Sequence, residues 1–196
     1  MRVFLSFLII IFNLQSWTKA DDIRDFQIEG MSVGDSLLDY LSEQEILNSK
    51  RNYFKDKRKY YVVGVYKNLK NYEIVDIYLK TGDRKFIIRT LGGLLSINNL
   101  KECIDKKKTI EKEFDQLFSN LLSKDDIKEH EFDKTGESKQ YQKVYYFGNG
   151  STRDNHIRIE CDKWSEKIKK NQGFDDGLNV VAMTTEILDW VYSGYK

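Results

Sequence analysis

The stretch from Asn98 to Ser123, NNLKECIDKKKTIEKEFDQLFSNLLS, constrains the fold more than any other part of the chain. Apolar side chains recur at Leu100, Cys103, Ile104, Ile110, Phe114, Leu117, Phe118, Leu121 and Leu122. Steps of three and four residues bring these onto one stripe of a helix. Lys106, Lys107, Lys108, Glu111, Lys112 and Glu113 are expected on the other faces. Asn98 or Asn99 caps the start, because an Asn side chain accepts a bond from an unpaired backbone N–H. The lysine run at 106–108 is flanked by acidic residues and reads as a solvated face rather than a patch for an anionic partner.

Strand patterns lie on both sides of this helix. Tyr60 to Lys67 is β-branched and aromatic, and Glu73 to Lys80 alternates with Val75, Ile77 and Leu79 on one side. Thr81-Gly82-Asp83 makes a hairpin turn, and Lys85 to Leu91 forms a third strand that Gly92-Gly93 is expected to close. Asp76 and Arg89 are candidates to pair across strands, as ordinary sheet chemistry. After the helix, Gln140 to Phe147 and Asn155 to Trp164 read as strands, and Asn179 to Met183 as a short buried one. Short helices are expected near each end. Ser32 with Asp35 has capping-box spacing ahead of Val33, Leu37, Leu38 and Leu41, and Ser42 with Glu45 repeats it through Ile46 and Leu47. Thr184 or Thr185 caps a final helix with Ile187, Leu188, Trp190 and Val191 inward. The expectation is an α+β fold: antiparallel sheet or sheets packed on one long helix, with short terminal helices.

Met1 to Ala20 reads as a secretory signal peptide: Arg2, an apolar run from Val3 to Leu14, then Thr18-Lys19-Ala20 before the cleavage point. The apolar run is shorter than the ~20 residues that span a bilayer, although an uncleaved anchor is the alternative. No later stretch is apolar enough for a span. Residues 21–196 suit one domain in the periplasm or outside the cell. Lys and Arg number 32 against 31 Asp and Glu, so nothing steers the chain to nucleic acid or to an acidic lipid surface. Proline is absent, and Lys, Ile, Asn, Asp and Tyr are frequent, which fits a bacterial chain from an AT-rich coding background. The basic, aromatic-bearing stretch from Asn48 to Lys59 is expected as an exposed loop.

Two cysteines, Cys103 and Cys161, invite a disulfide in an exported chain. Closing that loop would stabilise the fold by roughly 4 kcal/mol in the chain-entropy model. A redox or catalytic pair would sit closer together, as in C-x-x-C.

Few residues carry chemistry. On the strand from Asn155, Ile157, Ile159 and Cys161 face one way, while Asp154, His156, Arg158 and Glu160 line the other. Asp154, His156 and Glu160 are the weak candidates for an acid–base site. The competing expectation is the wet face of an antiparallel strand. Lys124 to Lys139 gathers Asp125, Asp126, Glu129, Glu131 and Asp133 around His130, but neither calcium-loop nor H-E-x-x-H spacing is present. A solvated linker without metal or cofactor is expected. Asn149-Gly150-Ser151 matches a glycosylation sequon, which carries little weight in a bacterium.

The segments FQIEGMSVGDSLLDYL, Phe26 to Leu41, and NVVAMTTEILDWVYSGY, Asn179 to Tyr195, resemble an uncharacterised group of small exported bacterial proteins. The Gly-Met-Ser-x-Gly-Asp opening also looks like the first helix of small periplasmic modules of the outer-membrane-assembly lipoprotein and β-lactamase-inhibitor type. Those join short helices to an antiparallel sheet and bind other proteins. This chain lacks their lipid-bearing cysteine. The resemblance implies an interaction module whose partner is an envelope protein or a small ligand; the alternative is a small periplasmic hydrolase.

Overall fold

The computed structural model describes residues 22–51, 59–130 and 133–194. The expected signal peptide, residues 52–58 of the basic stretch, Glu131 and Tyr195 lie outside them.

The chain opens with a two-strand hairpin, β1 (Gln27–Ile28) and β2 (Met31–Ser32), and a short helix α1 (Glu43–Asn48). The main sheet begins with β3 (Lys50–Arg51), β4 (Tyr60–Val65), β5 (Ile74–Lys80) and β6 (Ile88–Ser96). Helix α2 (Leu100–Leu117) follows, then β7 (Leu122–Glu129), β8 (Lys139–Tyr146) and β9 (His156–Lys163). A short helix α3 (Glu166–Gln172), β10 (Gly177–Met183) and α4 (Thr185–Tyr192) complete the described chain. The eight strands of the main sheet run β3-β4-β5-β6-β10-β9-β8-β7, and each neighbouring pair is antiparallel. Two meanders, β4–β6 and β7–β9, are therefore joined by the strand that comes last in sequence.

One face of the sheet, called inner here, carries the apolar half of the period-2 pattern. Val63, Ile77, Leu91, Val180, Ile159 and Tyr145 share one buried cluster with Ile28, Leu37 and Ile46 of the N-terminal segment and with Cys103, Phe114 and Phe118. Phe26 meets Phe114 edge-on at 5.4 Å, and Phe114 lies 5.6 Å from Tyr145. Cys103 is bonded to Cys161 with Cα atoms 6.0 Å apart, joining α2 to β9.

Several local expectations are corrected. Ser32 and Asp35 make no α-helix. The Ser32 N–H does donate to Asp35 Oδ2 at 2.8 Å, but the Ser32 hydroxyl donates to the Phe26 carbonyl instead. Only a 3-10 turn, Leu37–Asp39, forms there. Ser42 and Glu45 do form the reciprocal capping box and start α1. Gly92-Gly93 does not end β6, which continues through it to Ser96. A Cβ on Gly93 would lie 2.5 Å from Tyr72 Cδ1, so the glycine is a seat for a packed ring rather than a turn. Asn99 caps α2 by accepting the Glu102 N–H at 3.1 Å. Lys107 is on the buried side of α2, not an outer one: it is one turn from Cys103, and its ammonium reaches Glu111 and, at 4.0 Å, Asp125 of β7. Leu117 and Leu122, expected in the helical stripe, are exposed, and Leu122 opens β7.

Lys124 to Lys139 is not one linker. Its first half is β7, paired with β8 along its whole length. Its polar side chains conceal the strand, because an edge strand with exposed side chains needs no apolar alternation. Lys50–Arg51 of the expected loop likewise pairs with β4 as β3. Asp76 pairs with Arg51 at 3.5 Å rather than with Arg89, which reaches Asp83 and Glu186. Ser165 caps α3, and Gly173 ends it in the left-handed conformation, φ 68°.

Candidate functional site

The outer face of the sheet divides in two. At one end α4 covers it: Tyr60, Ile187 and Trp190 are buried together, with Tyr78, Met183 and Val191 packed against them. Toward the other end, Gln140 and Gln142 of β8, Glu160 and Asp162 of β9 and Asn179 of β10 take outward positions, while Val144 and Val181 flank Arg158. The antiparallel register sets Asn179 opposite Glu160 and Glu160 opposite Gln142, and sets Asp162 opposite Gln140.

This row is not the wet face expected of it. His156 is 5% exposed, Glu160 3% and Asp162 6%. His130 packs against Trp164 with the rings tilted by 48° and their centroids 4.0 Å apart, Trp164 in turn lies 4.8 Å from Phe174, and Tyr146 meets His156 at 5.8 Å. An antiparallel sheet often leaves one face solvated, and here the rings line that face instead.

Buried polar groups need partners, supplied here by Arg158 on β9 itself and by Gln140 and Asn179 on the two flanking strands. The Arg158 terminal nitrogen donates to Glu160 Oε1 at 3.2 Å, while its Nε lies 2.8 Å from Glu160 Oε2 without alignment for a hydrogen bond, an ionic contact. Gln140 Nε2 donates both to Glu160 Oε2 at 3.2 Å and to Asp162 Oδ1 at 3.1 Å. Asn179 Nδ2 donates to the other Asp162 oxygen. Burial, and then the Glu160 charge, push Asp162 up to about 8, so its carboxyl holds a proton at neutral pH. Burial followed by the Arg158 charge lowers His130 and His156 to about 4, which keeps both rings neutral.

The three sequence candidates do not converge. His156 Nδ1 lies 3.0 Å from the Asp154 main-chain oxygen. The Asp154 carboxylate accepts the Ser151 N–H at 3.0 Å and fills the space a Cβ on Gly148 would need, so it builds the β8–β9 turn. Glu160 is held by Arg158 and Gln140. Asp162, Gln140, Gln142 and Asn179 belong to this row without being singled out by the sequence pattern, and His130, expected in a solvated linker, packs against Trp164 instead. Asp162 was within reach, since it continues the same alternation two residues beyond Glu160.

Asp133, one of the acidic residues near His130, is structural. It accepts the Ser138 hydroxyl at 2.6 Å and the Thr135 hydroxyl at 2.7 Å, and the Ser138 hydroxyl accepts the Ser165 N–H at 2.9 Å. Those donors hold its carboxyl well below the usual carboxylate range. Among the described residues, no group of three His, Cys, Asp or Glu side chains is placed to hold a metal ion. No described helix is long and apolar enough to cross a membrane. Comparisons with protein-family models, curated proteins and solved structures return no match for this chain.

Proposed function

We propose that this protein is exported, periplasmic or secreted, and that it binds an envelope protein or a small ligand rather than catalysing a reaction. The observation that carries the reading is the Cys103–Cys161 bridge, with the two residues 2% and 0% exposed. A buried bridge between a helix and a distant strand belongs to a compartment that oxidises thiols. Residues 1–20 act as the leader that takes the chain there, and residues 21–196 form one domain with α2 as the helix on which the sheet rests. The likeness of Phe26–Leu41 to protein-binding periplasmic modules agrees with this role.

The histidine chemistry favours binding over catalysis. A general base works best with a pKa near the working pH. His156 is held at about 4, and its Nδ1 is occupied by the main chain.

The test is made on protein recovered from the host envelope. Its mass should show residues 1–20 removed, and thiol titration under denaturing conditions should find no free sulfur. Immobilised, it should recover the same envelope partner as the His156→Gln variant. Two free thiols, or substrate turnover lost in a stable His156→Gln protein, would contradict the proposal.

A small hydrolase has one observation in its favour, the buried Asp162 and Glu160 carboxyls side by side, both held by Gln140. Turnover abolished in a well-folded Asp162→Asn protein would establish that reading instead.

A further inference from the structure

β7 stands at the end of the strand order, with β8 on one side and, among the described residues, no strand on the other. Its register with β8 runs unbroken from Leu122↔Tyr146 to Glu129↔Lys139. No bulge turns the edge away from a neighbour, which is one common protection. The His130 N–H donates to the Ser138 carbonyl at 3.0 Å, which continues the same register and marks the even-numbered residues as those bonded to β8. Antiparallel alternation then directs the main-chain groups of Ser123, Asp125, Ile127 and Glu129 to the open side. Ile127 is 64% exposed, the most of any large apolar side chain among the described residues.

We propose that this edge pairs with the β7 edge of a second copy of the chain, antiparallel about a two-fold axis at Ile127. The proposal deepens the interaction role above and rests on it only in treating the sheet as a recognition surface. A two-fold axis normal to the sheet keeps inner faces together, so only residues of the same parity can meet. Centring on Asp126 would set that residue against itself and Lys124 against Lys128. Centring on Asp125 would set it against itself and leave Ile127 against Ser123. Centring on Ile127 sets isoleucine against isoleucine on the inner face and Asp126 against Lys128, twice, on the outer face. Asp125 then meets Glu129, but each brings its own cation: Lys107 at 4.0 Å from Asp125 and Lys139 at 2.9 Å from Glu129. The register forms about six main-chain hydrogen bonds across the axis. Charges that would repel most other strands are thus matched to this one.

Sedimentation velocity of the purified, oxidised protein over a wide concentration range tests the pairing. The expected result is a monomer–dimer equilibrium. Asp126→Lys and Lys128→Asp should each weaken it by roughly tenfold, and the two together should restore it. Ile127→Pro should abolish the dimer and leave the melting curve near that of the parent, because the lost N–H bonds nothing in β8. A monomer at every concentration, a dimer indifferent to Ile127→Pro, or single reversals that the double variant does not rescue would each overturn the proposal. None of these outcomes bears on export, which the thiol titration decides separately.

Discussion

The two faces of β9 are made from one strand and behave as different materials. On the inner face Ile157, Ile159 and Cys161 are fully buried in an apolar cluster, and Cys161 is bonded to α2. On the outer face His156, Glu160 and Asp162 are almost as buried, but among amides, an arginine and aromatic rings. The inner face is stabilised by area removed from water and by a covalent tie. The outer face gains little from burial itself, since the Arg158–Glu160 pair loses its hydration and recovers it only through geometry. Inner-face changes should therefore act at all pH values, and outer-face changes should depend on protonation.

The largest loss is expected from breaking the tie. Replacing both Cys103 and Cys161 by Ser should lower stability by about 4 kcal/mol, read from denaturant midpoints. Ile159→Ala should follow at about 3 kcal/mol, independent of pH between 5 and 8, because a cavity has no protonation state. On the outer face, Glu160→Leu should cost about 2 kcal/mol by leaving Arg158 without its counter-charge. If Ile159→Ala and Glu160→Leu proved equally insensitive to pH, the distinction between the faces would fail.

The pH dependence sharpens the contrast. His130 and His156 have lowered folded values, so their contribution is present above the unfolded value of 6.5 and is lost as pH falls through about 4. Asp162 has a raised value, so its contribution is present below the unfolded 3.8 and is lost as pH rises through about 8. Two histidines outweigh one carboxyl on the acid side, and above pH 6.5 only the carboxyl changes. Stability should peak near pH 6.5, with limbs of about 1 kcal/mol per pH unit. The smallest effect is expected from Asp162→Asn, about 1 kcal/mol below the parent at pH 6: the amide is neutral like the protonated acid, but its nitrogen cannot accept the N–H that Gln140 or Asn179 donates to an Asp162 oxygen. That variant should lose the alkaline limb.

Much of the inner face was legible in the sequence, because burial there follows hydrophobic alternation. Val75, Ile77 and Leu79, and likewise Ile157, Ile159 and Cys161, announce their side of the sheet two residues at a time. The cysteine pairing was legible as well, since two cysteines allow one bridge. The outer row was misread for a physical reason: Arg158 and Glu160 have the same letters whether water or Gln140 satisfies them. β7 was hidden by a related ambiguity. LSKDDIKE carries no apolar alternation, and only its register with β8 reveals a strand. Gly92-Gly93 misled because a glycine pair signals a turn as readily as a seat for Tyr72.

The chain contains two histidines, both in or beside the outer row, so their ring resonances report directly on whether that face is interior. A titration of the two rings by nuclear magnetic resonance should place both midpoints near pH 4, with neither ring protonating appreciably at pH 6. Midpoints near 6.5 for His130 and His156 would mean that water reaches the row and that the buried polar face described for β9 does not exist.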